Sequence, residues 1–436
     1  MLRTIIAAAA LLLLASCAPA TEEKVKVRAL VIDSKGIGYA PEEVTLNTIT
    51  DIVAMEGKVA RMIGGASIRV DSEDPELANA PTEEAFAEAM IKGSGSSVKA
   101  SFIDHQGVLW PADFHTWNIV TAYYNFEKAY DYFRTVGQLT DADFREPTTV
   151  YYFPSFVLKD QSPEPARDNA LFFPPVQAMM VLPFDELQKA PLAINAGIMA
   201  HEYSHLIFNK KVYGAARLPQ ALLQWGELTP SPSANLLKSL DEGLADYHAF
   251  GVTCKSPSGC NTNFMKTSIG DVESAERDLA NPNRCMTDTL RNQFYSEGLN
   301  TFGGNGREYR LGSIIATALY RAGLQLGRHE VLQRAIVSSY GGQADTQPGY
   351  QNLHDLIADA LNKGNPDLFN MVSVTSVIIR HVNKESPGDQ ALATAVCNEF
   401  IDRLQIPAGY LVGPGRPCPA NAQGGTTTCP PLPPLP

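Results

Sequence analysis

Residues 199–206 read MAHEYSHL, which places two histidines four residues apart with a glutamate directly after the first. On a helix, positions i and i+4 share a face, so His201 and His205 would project toward one point. Neutral imidazole is a good zinc ligand. Glu202 would lie beside the metal, where its carboxylate can take a proton from a water molecule that zinc has made acidic. Ile198, Met199, Leu206 and Ile207 make the flanks apolar, so the helix should be buried. A buried histidine pair with a buried glutamate is costly without a metal or a full set of hydrogen bonds. Thirty-seven residues after His205 comes Glu242, in SLDEGLADYH, with Asp246 again four residues on. One carboxylate from Glu242 completes a two-histidine, one-glutamate set and leaves a position open for water and substrate. Asp246 can then accept the free ring N–H of His201 and hold its tautomer. A solvated face carrying both acids is the simpler alternative, but LDEGLADYHAF is too apolar around them. His248 competes as a ligand, yet two residues past Asp246 it falls on a different face.

These side chains need helices and a sheet to hold them. The histidines sit on a helix expected over 191–209 and the acids on one over 236–250. FHTWNIVTAYYNFEKAYDYFRTVG (114–137) predicts a long amphipathic helix with aromatics on one side, ended by Gly137. KVKVRALVID (24–33), TTVYYFPSFVL (148–158) and ALFFPPVQAMMVLPF (170–184) read as strands. From residue 310 helical periodicity dominates, with Leu311, Ile314, Ile315, Ala318, Ala322 and Leu326 in step. Ser386-Pro387 is expected to open a last helix. Residues 212–235 form a Pro/Ser-rich insert, expected as a loop beside the cleft. The stretch from Ile406 is Pro-rich and expected to be extended or disordered. No internal repeat is present.

The amino terminus addresses the compartment. Arg3, an apolar run from Ile5 to Leu14 and small residues before Cys17 make a secretory signal, too short to span a bilayer. Leu14-Ala15-Ser16-Cys17 resembles a bacterial lipobox. That resemblance implies cleavage before Cys17 and a lipid on its sulfur, and Ala18 favours the outer membrane. The net charge of −12 argues against a nucleic-acid partner. Beyond Cys17 six cysteines remain, an even number that in an exported protein suggests up to three disulfides. Cys254 and Cys260 close a tight loop, and Cys418 and Cys429 bracket the tail; the spacing leaves the pairing open.

The HExxH…ExxxD pattern resembles that of the gluzincin metallopeptidases, such as thermolysin and fungalysin. Three further stretches over about 115–330 resemble theirs in order. RDNALFFPPVQAMM is similar to the Asn-Ala edge strand along their cleft, which implies that Asn169 and Ala170 hold the substrate backbone. The physical basis is that a strand edge offers N–H and C=O groups to an extended peptide. NIVTAYYNFEKAYDYF is similar to the aromatic helix that precedes that strand. REYRLGSIIATALYRAG is similar to a segment whose leading histidine steadies the oxyanion in those enzymes. Tyr309 stands at that position here, with Gly312, Ala316, Leu319 and Tyr320 in step. A phenol also donates a hydrogen bond to an oxyanion, though with a different pKa and reach. Leu182-Pro183-Phe184 stands where relatives carry a Gly-Asp-Gly turn. Acidic clusters for calcium are not evident.

The expected fold is therefore α+β and gluzincin-like. It has an N-terminal mixed sheet with an edge strand and the histidine helix, then a mainly helical C-terminal lobe. The expected division is a signal peptide (1–17), a small N-terminal region (18–96), a zinc-binding α/β lobe (97–250), a helical lobe (251–405) and a Pro-rich tail (406–436). The expected function is a zinc-dependent endopeptidase of the cell envelope with Zn2+ on His201, His205 and Glu242, acting on peptides or proteins and anchored through Cys17. The alternative is a lipoprotein that keeps the fold as a binding or scaffold protein. The first expectation predicts that Glu202→Gln abolishes cleavage.

Overall fold

The strand expected at 24–33 forms as β1 (Glu23–Ile32), and it lies well inside a ten-stranded sheet. A computed structural model describes residues 23–32, 38–144, 146–185, 189–254, 260–298, 307–341, 352–425 and 429–430. Cys17 and the signal lie outside them. Antiparallel pairing joins β1 to β2 (Tyr39–Asp51), β2 to β3 (Glu56–Gly57) and β3 to β4 (Ala60–Gly64). β4 then runs parallel to β10 (Thr148–Tyr152), and β10 runs parallel to β13 (Ala178–Val181). On its other side β1 meets β9 (Val108–Pro111), which pairs with β8 (Phe102–His105); β7 (Ser96–Ser97) pairs with β4. The sheet thus runs straight through the boundary expected at residue 96. A small second sheet holds β5 (Ser67–Val70), β6 (Ile91–Gly93) and β11 (Ser155–Leu158).

The run 170–184, read above as one strand, is two. β12 (Ala170–Phe173) ends where Pro174 and Pro175, which lack N–H donors, break the ladder. Gln177 turns the chain at φ +51°, and β13 returns antiparallel in the register Ala170↔Val181. β12 is therefore the edge of the sheet. β13 is buried on both faces, which is why Ala-Met-Met-Val reads as an unbroken apolar run. Met179 and Val181 join the main core, while Ala178 and Met180 join a smaller core under the second sheet.

Eight helices of ten residues or more occur among the described residues. Four build the site: α1 (Phe114–Thr135), α2 (Ala196–Lys211), α3 (Pro232–Thr253) and α4 (Arg307–Leu326). α1 starts where Asp113 accepts the N–H of Thr116, packs on the sheet and against α2; α2 packs on α3, and α3 on α4. The helical lobe is completed by α5 (His329–Ser338), α6 (Leu353–Asn362), α7 (Met371–Glu385) and α8 (Gln390–Arg403). The last begins with Asp389 as its cap rather than at Ser386-Pro387, because Ser386 caps the end of α7. The insert 212–235 is not all loop: Gln220–Gly226 is helical, and Pro232 opens α3. The chain is a mixed α+β protein.

α3 and α4 touch backbone to backbone. A Cβ on Gly243 would lie 2.4 Å from the Gly312 carbonyl oxygen, and one on Gly312 would lie 2.9 Å from the Gly243 nitrogen. Neither position tolerates a side chain without moving a helix. This contact brings Glu242 on α3 within one turn of Tyr309 on α4.

The tail is pinned rather than free. Disulfides join Cys254–Cys260, Cys397–Cys418 and Cys285–Cys429, so Cys418 and Cys429 bracket the tail but do not pair. Buried Arg403 donates to the carbonyls of Pro282 and Arg284, fastening the loop that leaves the site to α8.

His248 ties three segments together. It is fully buried, and its ring nitrogens lie 2.8 Å from the Tyr132 hydroxyl and 2.9 Å from that of Tyr340. Burial lowers its pKa to about 3, against about 6.5 for a free imidazole. The unfolded chain therefore binds a proton near pH 5 that the folded chain refuses. The associated stability is present above about pH 6.5 and is lost as pH falls toward 3, by roughly 5 kcal/mol over the full window. Between pH 4 and 6, wild type should take up about one more proton on unfolding than His248→Gln. Denaturant unfolding across that range measures the difference, and equal pH slopes would contradict it.

Candidate metal centre

The start of α2 is fixed first. Asn195 accepts the N–H groups of Gly197 and Ile198 and donates to the Phe264 carbonyl at 2.8 Å. Gly197 leaves room for the Phe264 side chain, whose Cβ an added methyl would meet at 2.3 Å and whose ring at 2.5 Å. One turn later His201 and His205 face α3, their Nε2 atoms 3.0 Å apart. Glu242 Oε2 lies 3.2 Å from the first and 3.5 Å from the second. One donor atom from each of the three residues falls within 4.8 Å of the others, a group that could hold a metal ion.

The chemistry of the set fits a cation. Glu242 Oε2 is buried and accepts no hydrogen bond, since the imidazoles stand at ion-pair distance without the alignment for one. An orphaned carboxylate oxygen in the interior is costly unless a positive charge faces it. Two imidazole nitrogens at 3.0 Å likewise need a proton or a cation between them. Burial raises the Glu242 pKa, but the two imidazoles outweigh it and hold the carboxyl well below its ordinary value.

Each imidazole is oriented from behind. Asp246 Oδ1 lies 3.0 Å from His201 Nδ1, and Asp241 Oδ1 lies 2.7 Å from His205 Nδ1. An Nδ1–H donated to a carboxylate leaves the Nε2 lone pair for a metal. Burial lowers the His205 pKa, but Asp241 and Glu242 together drive it well above the usual imidazole range. Arg277 completes this layer. Its Nε donates to Asp246 Oδ2 at 3.0 Å, and its Nη2 reaches Oδ1 of the same carboxylate. Burial raises the Asp246 pKa, and Arg277 and His201 together more than reverse that, holding it below the ordinary carboxyl value.

Glu202 sits on the sheet side of the pair. Its Oε2 accepts the backbone N–H of Phe172, in β12, at 2.8 Å. Burial pushes its pKa above the ordinary carboxyl value, and the nearby imidazoles only partly offset this. Leu182 donates to the Asn169 carbonyl, so residues 169, 171 and 173 bond toward β13 while 170 and 172 face outward. The outward N–H of Ala170 is taken by the Asn169 side chain at 2.9 Å, and Asn169 itself is exposed. The Ala170 carbonyl is on the open side of the edge.

Tyr309 lies on the far side of the centre. The Arg277 guanidinium stacks 4.7 Å from its ring centroid, and 40 % of the residue's surface is open. The Glu242 carboxylate, followed by burial, raises its pKa, so the phenol keeps its proton near neutrality. His248 is turned away from the centre, bonded to Tyr132 and Tyr340 as described.

Sequence reasoning missed Asp241, Arg277 and the Phe172 N–H. Asp241 carried a usable signal, since it directly precedes Glu242 on the helix that faces the histidines. Arg277 lies in DVESAERDLA, which has no motif. No protein-family model matches the chain, and no curated protein matches it.

Removing an imidazole's carboxylate partner weakens metal binding by about 10- to 100-fold. Asp241→Ala should lower the affinity for a divalent ion by that factor in a chelator competition. Undiminished affinity would sink the proposed role of Asp241.

Proposed function

We propose that the protein is a zinc metallopeptidase of gluzincin type, exported to the bacterial cell envelope and anchored there through a lipid on Cys17. The observation that carries this reading is the convergence of His201, His205 and Glu242 beside the buried Glu202 carboxylate. A tetrahedral zinc ion with bonds of about 2.0–2.1 Å holds its ligand atoms about 3.3 Å apart. The three separations here, 3.0, 3.2 and 3.5 Å, bracket that value. Two imidazoles and one carboxylate also leave the fourth position that hydrolysis requires.

Zinc held by these residues would supply Lewis acidity, polarising a peptide carbonyl and acidifying water. The chain's own groups supply the rest. The edge of β12 offers the Ala170 carbonyl to an extended peptide backbone, with Asn169 exposed beside it. Glu202, its pKa raised by burial, is suited to take a proton from water and pass it to the leaving amine. Its bond to Phe172 N–H aims it along the same edge that would carry the substrate. Tyr309 donates a hydrogen bond from its phenolic O–H to the developing oxyanion. Arg277, stacked on that ring and bound to Asp246, holds the phenol and the His201 support in one unit. The three disulfides suit an oxidising compartment.

Glu202→Gln should retain about one zinc per chain while casein hydrolysis falls by 10³-fold or more. Metal analysis and a protease assay on the same sample test this; full activity in that variant removes the peptidase reading, and an inactive wild type that binds zinc favours the scaffold. Tyr309→Phe should lower kcat by about 10²-fold with KM little changed. A change confined to KM would mean that the phenol binds substrate without steadying the oxyanion.

A further inference from the structure

A cluster of aromatic rings stands at the end of the β12–β13 ladder, outside the machinery above. Phe184 follows Leu182-Pro183 directly after β13. Its ring centroid lies 5.9 Å from that of Phe114 and 6.0 Å from that of Phe153. Phe153 stacks on Tyr152 at 4.1 Å and meets His115 edge-on at 5.8 Å. Three separate segments thus contribute: the first turn of α1, the end of β10 and the end of β13.

Core packing accounts for one of these rings and not for the other two: Phe153 packs against the main core. Phe114 is 50 % exposed, and neither it nor Phe184 belongs to either hydrophobic core. Phe153 is held at φ +52°, a left-handed backbone that a bulky residue adopts only under constraint from its surroundings. Phe114 is exposed and Phe153 and Phe184 are half-buried, so three segments together present a partly open aromatic surface of the kind that binds ligands.

Its place defines what it recognises. Asp168 donates its N–H to the Pro183 carbonyl, and Asp185 donates to the Asp168 side chain. These bonds lock the segment carrying Phe184 to the chain entering β12, just before Asn169. Phe172, whose N–H meets Glu202, lies four residues further along. At about 3.4 Å per residue, the cluster begins roughly 14 Å along the edge from the reacting centre. A peptide extended on that edge would reach it with a side chain two to four residues from the scissile bond.

We infer that Phe114, Phe153 and Phe184 form an aromatic subsite, which selects substrates carrying a Phe, Tyr or Trp side chain two to four residues from the cleaved bond on the Asn169 side. The inference rests on the peptidase reading. Rings at 5.9–6.0 Å with tilted and edge-on planes leave faces and edges for a further ring to join in the geometry aromatics prefer.

The test is a series of fluorogenic peptides in which Phe or Ala is placed at each position around one cleavable bond. Wild type should show a Phe-to-Ala ratio of kcat/KM of about tenfold or more at a single position in that interval. Phe184→Ala and Phe114→Ala should each collapse that ratio toward one, and Phe184→Trp should keep it. Both phenylalanines lie outside the cores, and near-ultraviolet circular dichroism checks that the variants are folded. Cleavage by wild type with a ratio that Phe184→Ala leaves unaltered overturns the subsite alone. Zinc-loaded wild type that cleaves none of the peptides or casein overturns the peptidase reading and the subsite with it.

Discussion

The constraint on which this structure turns is charge confined in a dry interior. Glu202, Glu242 and Asp246 are all buried within a few side chains of one another. Ionised carboxylates taken out of water cost several kcal/mol each unless positive groups or donors face them. Arg277 answers Asp246 with two bonds, and a backbone N–H answers one oxygen of Glu202. Glu242 Oε2 has the two imidazoles, and Arg277 at 3.9 Å, at ion-pair distance, yet accepts no hydrogen bond. That unsatisfied oxygen, facing two imidazole nitrogens, is why the group could hold a metal ion.

The rest of the architecture serves to bring those charges together. Two glycines let α3 and α4 approach until their backbones touch, so Glu242 and Tyr309 approach one centre from different helices. Asn195 and Phe264 set where α2 begins and hence which turn carries each histidine. The proline pair after Phe173 ends β12 and folds β13 back, which makes β12 the edge of the sheet. Because Glu202 bonds to that edge, its carboxylate and β12 are joined by a single contact.

Departures from the gluzincin pattern fall around this frame. Tyr309 stands where the pattern this sequence resembles has a histidine, and its phenol keeps its proton near neutrality beneath a guanidinium. Leu182-Pro183-Phe184 replaces a turn of small and acidic residues with an apolar one that completes an aromatic cluster. Both lie outside the His201–His205–Glu242 group, which keeps the spacing of the pattern.

Local spacing was enough to find His201, His205, Glu202, Glu242 and Asp246, because a helix converts a separation of four residues into a shared face. The same periodicity located α1 to α4 to within a few residues. Pairing across distance was beyond it. Nothing local tells Arg277 that it will meet Asp246, or Cys285 that it will reach Cys429 across 144 residues. Nor does composition reveal that residues 39–64 insert as strands between β1 and β10, since a strand's neighbours are chosen by the packing of both faces. The candidate site was legible because its residues repeat with helical spacing on two helices, α2 and α3. Its supports were not, because they are made by segments that meet only when the cores close.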